Sequence, residues 1–421
     1  MVTYRVSKAD SLQGEITVQG SKNAALPMMA ACVLHKGTTV LKGCPDILDV
    51  RNMCVLLDSI GCRTSFSNGE LVIDAKDADG TFAGQEEAGK MRSSIMLAGA
   101  MLGRNKEVTI AYPGGCSIGK RPIDLHLTAF EKLGAVVEEK EDGICCKSTG
   151  LTGNVISFRF PSVGATENAI LAAVLADGVT KIHNAAREPE IISLCHMLNI
   201  MGADISGAGS RTILIQGVSE LRDSQVRVPS DRIVTGTYMC AVAGCGGKIT
   251  LKTDCANDLT SVYPVLEQLG CHIVCTDSYI TIEKREDEDL TLQVTTGVYP
   301  KFPTDLQPQV MAILCKRKGH GILIEDIFEN RFAQASQLCK MGAEIHIIDN
   351  IAVVNGKEVL KGTDVTAYDL RGGAAMVLAG LLADGETQIH QISYIERGYE
   401  DICRDLCMLG AKAQRCGQKT S

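Results

Sequence analysis

LLDSIGCRT at residues 56–64, FEKLGAVV at 130–137, LNIMGADI at 198–205, LEQLGCHI at 266–273, LCKMGAEI at 338–345 and LCMLGAKA at 406–413 are six versions of one phrase. Each is an amphipathic stretch, then a glycine, a small residue and a β-prone run. The glycines are Gly61, Gly134, Gly202, Gly270, Gly342 and Gly410, so successive copies lie 68 to 73 residues apart. A glycine at that point suits the left-handed residue that ends a helix, because it has no Cβ to clash. The unit is longer than the 20–50 residues of ordinary solenoid repeats.

A second phrase recurs in phase with the first. It is a helix of small and apolar residues over 23–34, 93–102, 165–176, 234–244, 305–315 and 370–383. Short β-prone runs follow, including GTTVL, EVTI, GVTKI, GKITL, GILI and GETQI. These helices are apolar nearly all round, which predicts helices buried on every side. The expected fold is α/β, with two inside-out, barrel-like domains. Each holds three repeats, with helices inside and sheets outside. The expected domains are residues 21–229, and residues 1–20 with 230–421. The N-terminal strand is expected to pair with the last repeats, through short crossings near Gly20-Ser21-Lys22 and Pro229-Ser230-Asp231.

Composition narrows the function. The chain has 421 residues, 45% of them hydrophobic and 22% charged, which excludes a disordered chain, a collagen and a coiled coil. Its 42 basic and 50 acidic residues leave a net charge of −8, without the basic excess of a nucleic-acid binder. No run reaches the roughly 18 apolar residues of a membrane span, since Arg371 interrupts the longest candidate. The first residues, MVTYRVSKADSLQGEI, read as a strand and not a signal peptide. A cytoplasmic chain, monomeric and without a membrane partner, is expected. The 18 cysteines form no CxxC pair. Cys32, Cys54, Cys240, Cys315 and Cys407 sit in apolar patterns, where a thiol packs as a small hydrophobe. Neither Cys403 with Cys407 nor Cys271 with Cys275 has further partners at ligand spacing, so no metal is expected.

Polar residues gather where the buried helices begin: Lys22-Asn23, Arg92-Ser93, Ser162 to Thr166, Asp231-Arg232, Thr304-Asp305 and Asp369 to Arg371. Helix N-termini attract anions, and equivalent ends in two facing domains are expected to share one cleft. Ordinary N-capping by Ser and Asp is the competing account. It explains the neighbouring Lys and Arg less well.

Residues 112–122, YPGGCSIGKRP, form the chain's most unusual loop. Gly114, Gly119 and Lys120 nearly match a P-loop. Arg121, however, stands where a Ser or Thr should hold magnesium, and no Walker-B partner exists, so an ATPase is not expected. Cys116 lies beside cations that favour its thiolate, in a glycine loop suited to a lid. Asp305, after Phe302-Pro303-Thr304, suits either a helix cap or a general base.

Taken together, GSKNAALP from Gly20, PGGCSIGKRPIDLH from Pro113, SVGATEN from Ser162, NAAREPEI from Asn184, SDRIVTGT from Ser230, FPTDLQPQ from Phe302, IFENRF from Ile327 and ERGYE from Glu396 resemble the enolpyruvyl transferase family. The likeness spans essentially the whole chain and lies in the branch whose acceptor is UDP-N-acetylglucosamine. It implies transfer of enolpyruvyl from phosphoenolpyruvate to the sugar 3′-hydroxyl with release of phosphate, at the start of peptidoglycan synthesis and without a cofactor. By resemblance, Cys116 is the proton donor and the residue that fosfomycin alkylates. Asp305 is the carboxylate that deprotonates the sugar. Lys22, Arg121 and Arg397 clamp phosphoenolpyruvate, and Arg331 and Arg371 lie near the reacting centre. Asn23, Arg92, Pro122, Ile123, Asp124, Leu125, Ser162, Val163, Gly164 and Ile327 match the nucleotide-sugar contacts.

Three features depart from the family pattern: Phe160-Pro161, Val234 and Gly372-Gly373. The first affects one nucleotide contact. The second is expected to touch helix capping or a salt bridge. The third is expected to loosen the helix after Arg371. A 5-enolpyruvylshikimate-3-phosphate synthase lacks the Pro-Gly-Gly-Cys loop, and a non-catalytic nucleotide-sugar sensor should have lost Cys116 or Asp305.

Overall fold

The computed structural model describes residues 2–83, 92–111, 119, 122–140, 143–285 and 291–417. The chain divides into two compact units. One comprises residues 20–116 and 121–229; the other comprises 1–19, 117–120 and 230–421. Each has its own hydrophobic core.

The second phrase of the sequence forms six inner helices. In the first unit these are α1 (Lys22–Cys32), α2 (Met96–Asn105) and α3 (Val163–Ala173). In the second unit they are α4 (Arg232–Cys245), α5 (Gln307–Leu314) and α6 (Leu370–Leu382). Every residue of α5 and α6 is buried. Such helices gain from all faces at once, about 1.5–3 kcal/mol for each large aliphatic side chain removed from water.

A helix with no wet face needs its first N–H groups satisfied from inside. Ser21 accepts from Ala24 N, and Ser162 from Ala165 N. Asp231 accepts from Ile233 and Val234 N, and Asp369 from Arg371 and Gly372 N. The capping account is therefore right for these four starts. Asp305 differs: it lies inside the 3₁₀ turn Thr304–Leu306 ahead of α5, and the capping position there is Pro303.

The first phrase forms six outer helices: Leu48–Ser59, Asp124–Lys132, Pro189–Ile200, Tyr263–Gln268, Ala335–Lys340 and Ile402–Met408. The repeat glycine just past each has positive φ, from 80° at Gly270 to 106° at Gly202. The described strands build six four-stranded sheets of one pattern. Ser224–Arg227 runs parallel to Thr38–Lys42, which is antiparallel to Glu70–Asp74, itself antiparallel to Arg63–Ser67.

The N-terminal arm completes two sheets of the second unit. Thr3–Ser7 lies between Glu386–His390 and Ala413–Cys416, antiparallel to both. Leu12–Thr17 pairs in parallel with Gly247–Lys252. No helix of the described residues is long and apolar enough to cross a membrane.

The cysteine pattern needs one correction. Cys32, Cys240 and Cys315 are buried and Cys54 is half-buried, but Cys407 is exposed. Its helix, Ile402–Met408, turns only one face inward, toward Ile402, Cys403 and Leu406.

One buried polar group sits against the grain of the first core. Glu167 of α3 is 1% exposed, and its Oε2 has no hydrogen-bond partner among the described residues. Burial, aided by the nearby Glu190 and Glu188, holds its carboxyl well above the usual range. A carboxyl raised in this way binds its proton more tightly folded than unfolded, so stability falls as pH rises above the unfolded value of about 4.5. Glu167→Gln should remove that slope. In urea titrations at about pH 5 and about pH 8, the variant should gain on the wild type as pH rises. A constant difference would show that Glu167 does not titrate out of register.

Candidate active site

The expected site residues of the first unit cluster at helix starts. Lys22 and Asn23 open α1 behind the Ser21 cap. The Lys22 ammonium lies 3.6 Å from Asp49 Oδ2, and both side chains are largely shielded from water. Asp49 sits in the first turn of Leu48–Ser59, so two helix starts meet through one ion pair. Arg92 begins the 3₁₀ turn Arg92–Ile95 that leads into α2. Its side chain, together with Cys116 and Arg121, lies outside the described residues.

Pro122 is exposed and Ile123 half-buried, immediately before helix Asp124–Lys132. Asp124 Oδ2 is 2.5 Å from Arg159 Nη2, while Oδ1 is buried with no hydrogen-bond partner among the described residues. Leu125 packs against the first core. Ser162, Val163 and Gly164 form the start of α3.

A buried asparagine ties these starts together. Asn168 Oδ1 accepts from Gly99 N at 2.8 Å, which fixes the orientation of the amide. Its nitrogen then donates to Ile95 O at 2.9 Å and faces His126 Nδ1 at 2.7 Å. His126 Nδ1 must therefore be the acceptor, and its ring proton rests on Nε2. A Cβ at Gly164 would stand 3.1 Å from His126 Cε1, so glycine allows the close approach of α3. Asn168 and His126 lie inside the quoted motifs, but sequence reasoning gave them no role. A polar Asn in an apolar helix was the available signal.

The second unit concentrates charge around Asp305. Arg331 Nη2 donates to Asp305 Oδ1 at 2.8 Å, and Arg371 Nε donates to Oδ2 at 3.1 Å. The two arginines are 2% and 3% exposed, whereas Asp305 is 26% exposed. The carboxylate is thus pinned from inside and open outside. Arg331 Nε also donates to Thr304 O at 3.2 Å, and its Nη1 lies 3.7 Å from Asp369 Oδ1. Burial pushes the Arg371 guanidinium down, the largest single effect, but Asp305, Tyr399 and Asp231 together outweigh it and hold the group above its ordinary value.

Ile327 is fixed by a carboxylate the sequence did not single out. Glu325 Oε1 accepts from Ile327 N at 3.0 Å and Phe328 N at 3.2 Å. Arg397 is half-buried, in the loop after Ser393–Glu396. Gln19 pins that loop by donating to Gly398 O at 3.2 Å and accepting from Glu400 N at 2.8 Å.

The departures from the family pattern resolve as follows. Val234 is fully buried in the second core, and Asp231 still caps its N–H at 3.0 Å, so the capping is kept. Gly372 and Gly373 do not loosen α6. A Cβ on Gly372 would stand 2.8 Å from Asp369 Oδ2, and one on Gly373 2.6 Å from Ile395 Cγ1. The glycines admit the capping carboxylate and the helix Ser393–Glu396 at close range. Phe160 is 46% exposed, and nothing in the described contacts gives it a role.

Comparison with known proteins agrees with this architecture. A sequence profile of the EPSP synthase family (3-phosphoshikimate 1-carboxyvinyltransferase) matches residues 6–406. The chain is 43% identical over 415 residues to UDP-N-acetylglucosamine 1-carboxyvinyltransferase 2 of Caldanaerobacter subterraneus subsp. tengcongensis, covering 99% of this chain and 100% of that one. It is 41% identical over 427 residues to UDP-N-acetylglucosamine 1-carboxyvinyltransferase of Zymomonas mobilis subsp. mobilis, covering 99% and 100%. Among solved structures, the enolpyruvyl transferase NikO from Streptomyces tendae superposes with a TM-score of 0.88 at 22% identity, over 98% of each chain. EPSP synthase from Acinetobacter baumannii does so at 0.73 and 19% identity, over 99% of this chain and 100% of that one. At such identities the structural likeness speaks for the fold, and it is the two-domain α/β fold expected from the repeats.

The arginine pair makes a stability prediction. Arg331→Met removes one partner and leaves Asp305 and Asp369 facing an apolar side chain. Breaking a buried pair from one side costs about 3–5 kcal/mol, and the partial exposure of Asp305 brings the expected loss to about 2–3 kcal/mol. Urea unfolding monitored by circular dichroism measures it. A loss below about 0.5 kcal/mol would mean the pair is solvated like a surface pair.

Proposed function

The chain belongs to the EPSP synthase (3-phosphoshikimate 1-carboxyvinyltransferase) family of enolpyruvyl transferases, and from that membership we propose that it transfers enolpyruvyl from phosphoenolpyruvate to the 3′-hydroxyl of UDP-N-acetylglucosamine, releasing phosphate. The chemistry rests on one observation: Asp305 is held by two buried arginines with its outer edge open. The acceptor follows from full-length relatives named for that sugar nucleotide at 41–43% identity.

The reaction is an addition followed by an elimination. Cys116 gives a proton to the methylene carbon of phosphoenolpyruvate, and the adjacent carbon gains cationic character. The sugar 3′-oxygen bonds to that carbon as Asp305 takes the hydroxyl proton. The tetrahedral adduct then returns a proton from its new methyl group to the Cys116 thiolate as it expels phosphate. No step changes an oxidation state, so proton transfer and charge stabilisation suffice without a metal or organic cofactor.

The geometry of Asp305 suits its part. Two guanidiniums hold the carboxylate, which has about four acceptor positions, and the arginines use the inner ones. The side chain is 26% exposed, which leaves it accessible to the sugar hydroxyl. The carboxylate is a weak base, so it takes the proton as the attacking oxygen acquires positive charge, when that proton is most acidic.

Lys22, Arg121 and Arg397 serve as the clamp for the phosphate and carboxylate of phosphoenolpyruvate, with Arg331 and Arg371 near the reacting centre. Asn23, Arg92, Pro122, Ile123, Asp124, Leu125, Ser162, Val163, Gly164 and Ile327 serve the nucleotide-sugar. Backbone N–H groups at the starts of α1 and α3 support the clamp by their partial positive charge. The enzyme acts in the cytoplasm as a monomer, at the first committed step of peptidoglycan synthesis.

Phosphate release from phosphoenolpyruvate tests the reading, with UDP-N-acetylglucosamine and shikimate-3-phosphate as parallel acceptors. Release with the nucleotide-sugar alone is expected. Release with shikimate-3-phosphate would move the chain to the other branch, and silence with both would leave a binding protein. Cys116→Ser should still bind UDP-N-acetylglucosamine but turn over roughly 10²–10⁴-fold more slowly. Cys116→Asp should keep activity and escape fosfomycin. Wild-type turnover in the serine variant, or full fosfomycin inhibition of the aspartate variant, would remove Cys116 from its role.

A further inference from the structure

Glu325 has no part in the chemistry above, yet it is 3% exposed and immediately follows the strand His320–Ile324. Its carboxyl is raised, chiefly by burial, and hydrogen bonds from Ile327 N, Thr304, Thr296 and Phe328 N work against that rise. Burying a carboxylate is expensive even when it is well bonded. What sets Glu325 apart is where its two oxygens go. Oε1 takes the backbone N–H groups of Ile327 and Phe328 at 3.0 and 3.2 Å. Oε2 takes the Thr304 hydroxyl at 3.0 Å.

Thr304 immediately precedes Asp305, and Asp305 needs outside help to hold its place. It lies in a three-residue 3₁₀ turn whose leading residue, Pro303, makes no side-chain cap. The backbone there carries little of the regular hydrogen bonding that would fix a side chain within an α-helix. Arg331 holds the turn from one side through Thr304 O and Asp305 Oδ1. Glu325 holds it from the other through the Thr304 hydroxyl. Thr296 braces the arrangement, because its hydroxyl accepts from Asp326 N at 3.1 Å while facing Glu325.

We propose that Glu325 is a positioning residue for enolpyruvyl transfer, a single carboxylate that sets the spacing between the base Asp305 and the nucleotide-sugar contact Ile327. The inference rests on the transferase reading above. Its physical content is alignment: the segment that holds the acceptor and the segment that removes its proton are fastened to the same group. A displacement of the base by a fraction of an ångström slows proton transfer without weakening sugar binding.

The direct variant, Glu325→Leu, removes both arms and risks the fold. Thr304 isolates the arm that matters. Thr304→Val deletes the hydroxyl and leaves Oε1 on Ile327 and Phe328, whereas Thr304→Ser keeps the hydroxyl. Steady-state kinetics with phosphoenolpyruvate and UDP-N-acetylglucosamine should show kcat lowered about tenfold in Thr304→Val, the equivalent of one hydrogen bond. KM for the nucleotide-sugar should stay within about twofold, and Thr304→Ser should recover kcat to within about twofold. Thermal melts should show both variants folded. A Thr304→Val enzyme with unchanged kcat, a Thr304→Ser enzyme as slow as it, or a raised KM with kcat intact would each overturn the positioning role. A wild-type protein inactive with both substrates would overturn the transferase reading itself, and the two failures are told apart by the wild-type control.

Discussion

A helix buried on every side must find partners for its first N–H groups inside the protein, and this chain meets that constraint with Ser21, Ser162, Asp231 and Asp369. Much else follows from it. The capping residues bring polar atoms to places the apolar helices could not otherwise tolerate. Residues beside them, such as Lys22, Val163 and Arg371, then emerge at fixed positions relative to a rigid core. The six-fold recurrence of the motif makes many such positions available, and function can occupy some of them.

Asp369 shows how a structural requirement becomes chemistry. Its Oδ1 caps α6 through Arg371 N and Gly372 N and lies 3.7 Å from Arg331 Nη1. The same carboxylate thus closes a buried helix and helps orient the arginine that holds Asp305. Gly372 is the accommodation this needs, since a side chain there would collide with the Asp369 carboxylate. The Asp305 cluster is therefore not an isolated set of charges. It grows from the start of α6, and Glu325 and Thr304 fasten its other edge.

The fold was legible because its instructions are local and repeated. The glycine after each amphipathic stretch reports a left-handed backbone position, and all six glycines adopt positive φ. All-round apolar helices report burial. The pairing of Thr3–Ser7 with Glu386–His390 was accessible because the N-terminal run reads as a strand placed ahead of the first repeat. For the candidate site the sequence names residues but not their geometry. Nothing local in FPTDLQPQ says whether Asp305 caps a helix or faces arginines, because Arg331 and Arg371 arrive from 26 and 66 residues away. Glu325 and Asn168 were hidden for a related reason: each acts through partners that only the tertiary fold assembles. The Gly372-Gly373 pair misled because glycine weakens a helix intrinsically, whereas here close packing requires it.

The central claim is that Asp305, held by Arg331 and Arg371, removes the proton from the acceptor hydroxyl. Asp305→Asn preserves shape and removes the base. The most direct measurement is single-turnover kinetics of that variant in rapid mixing, with UDP-N-acetylglucosamine binding measured on the same protein by calorimetry. The account predicts nucleotide-sugar affinity within about tenfold of wild type and a chemical step slowed roughly 10²–10⁴-fold. A chemical step within about tenfold of wild type would contradict it, and the proton would then have to leave by another route.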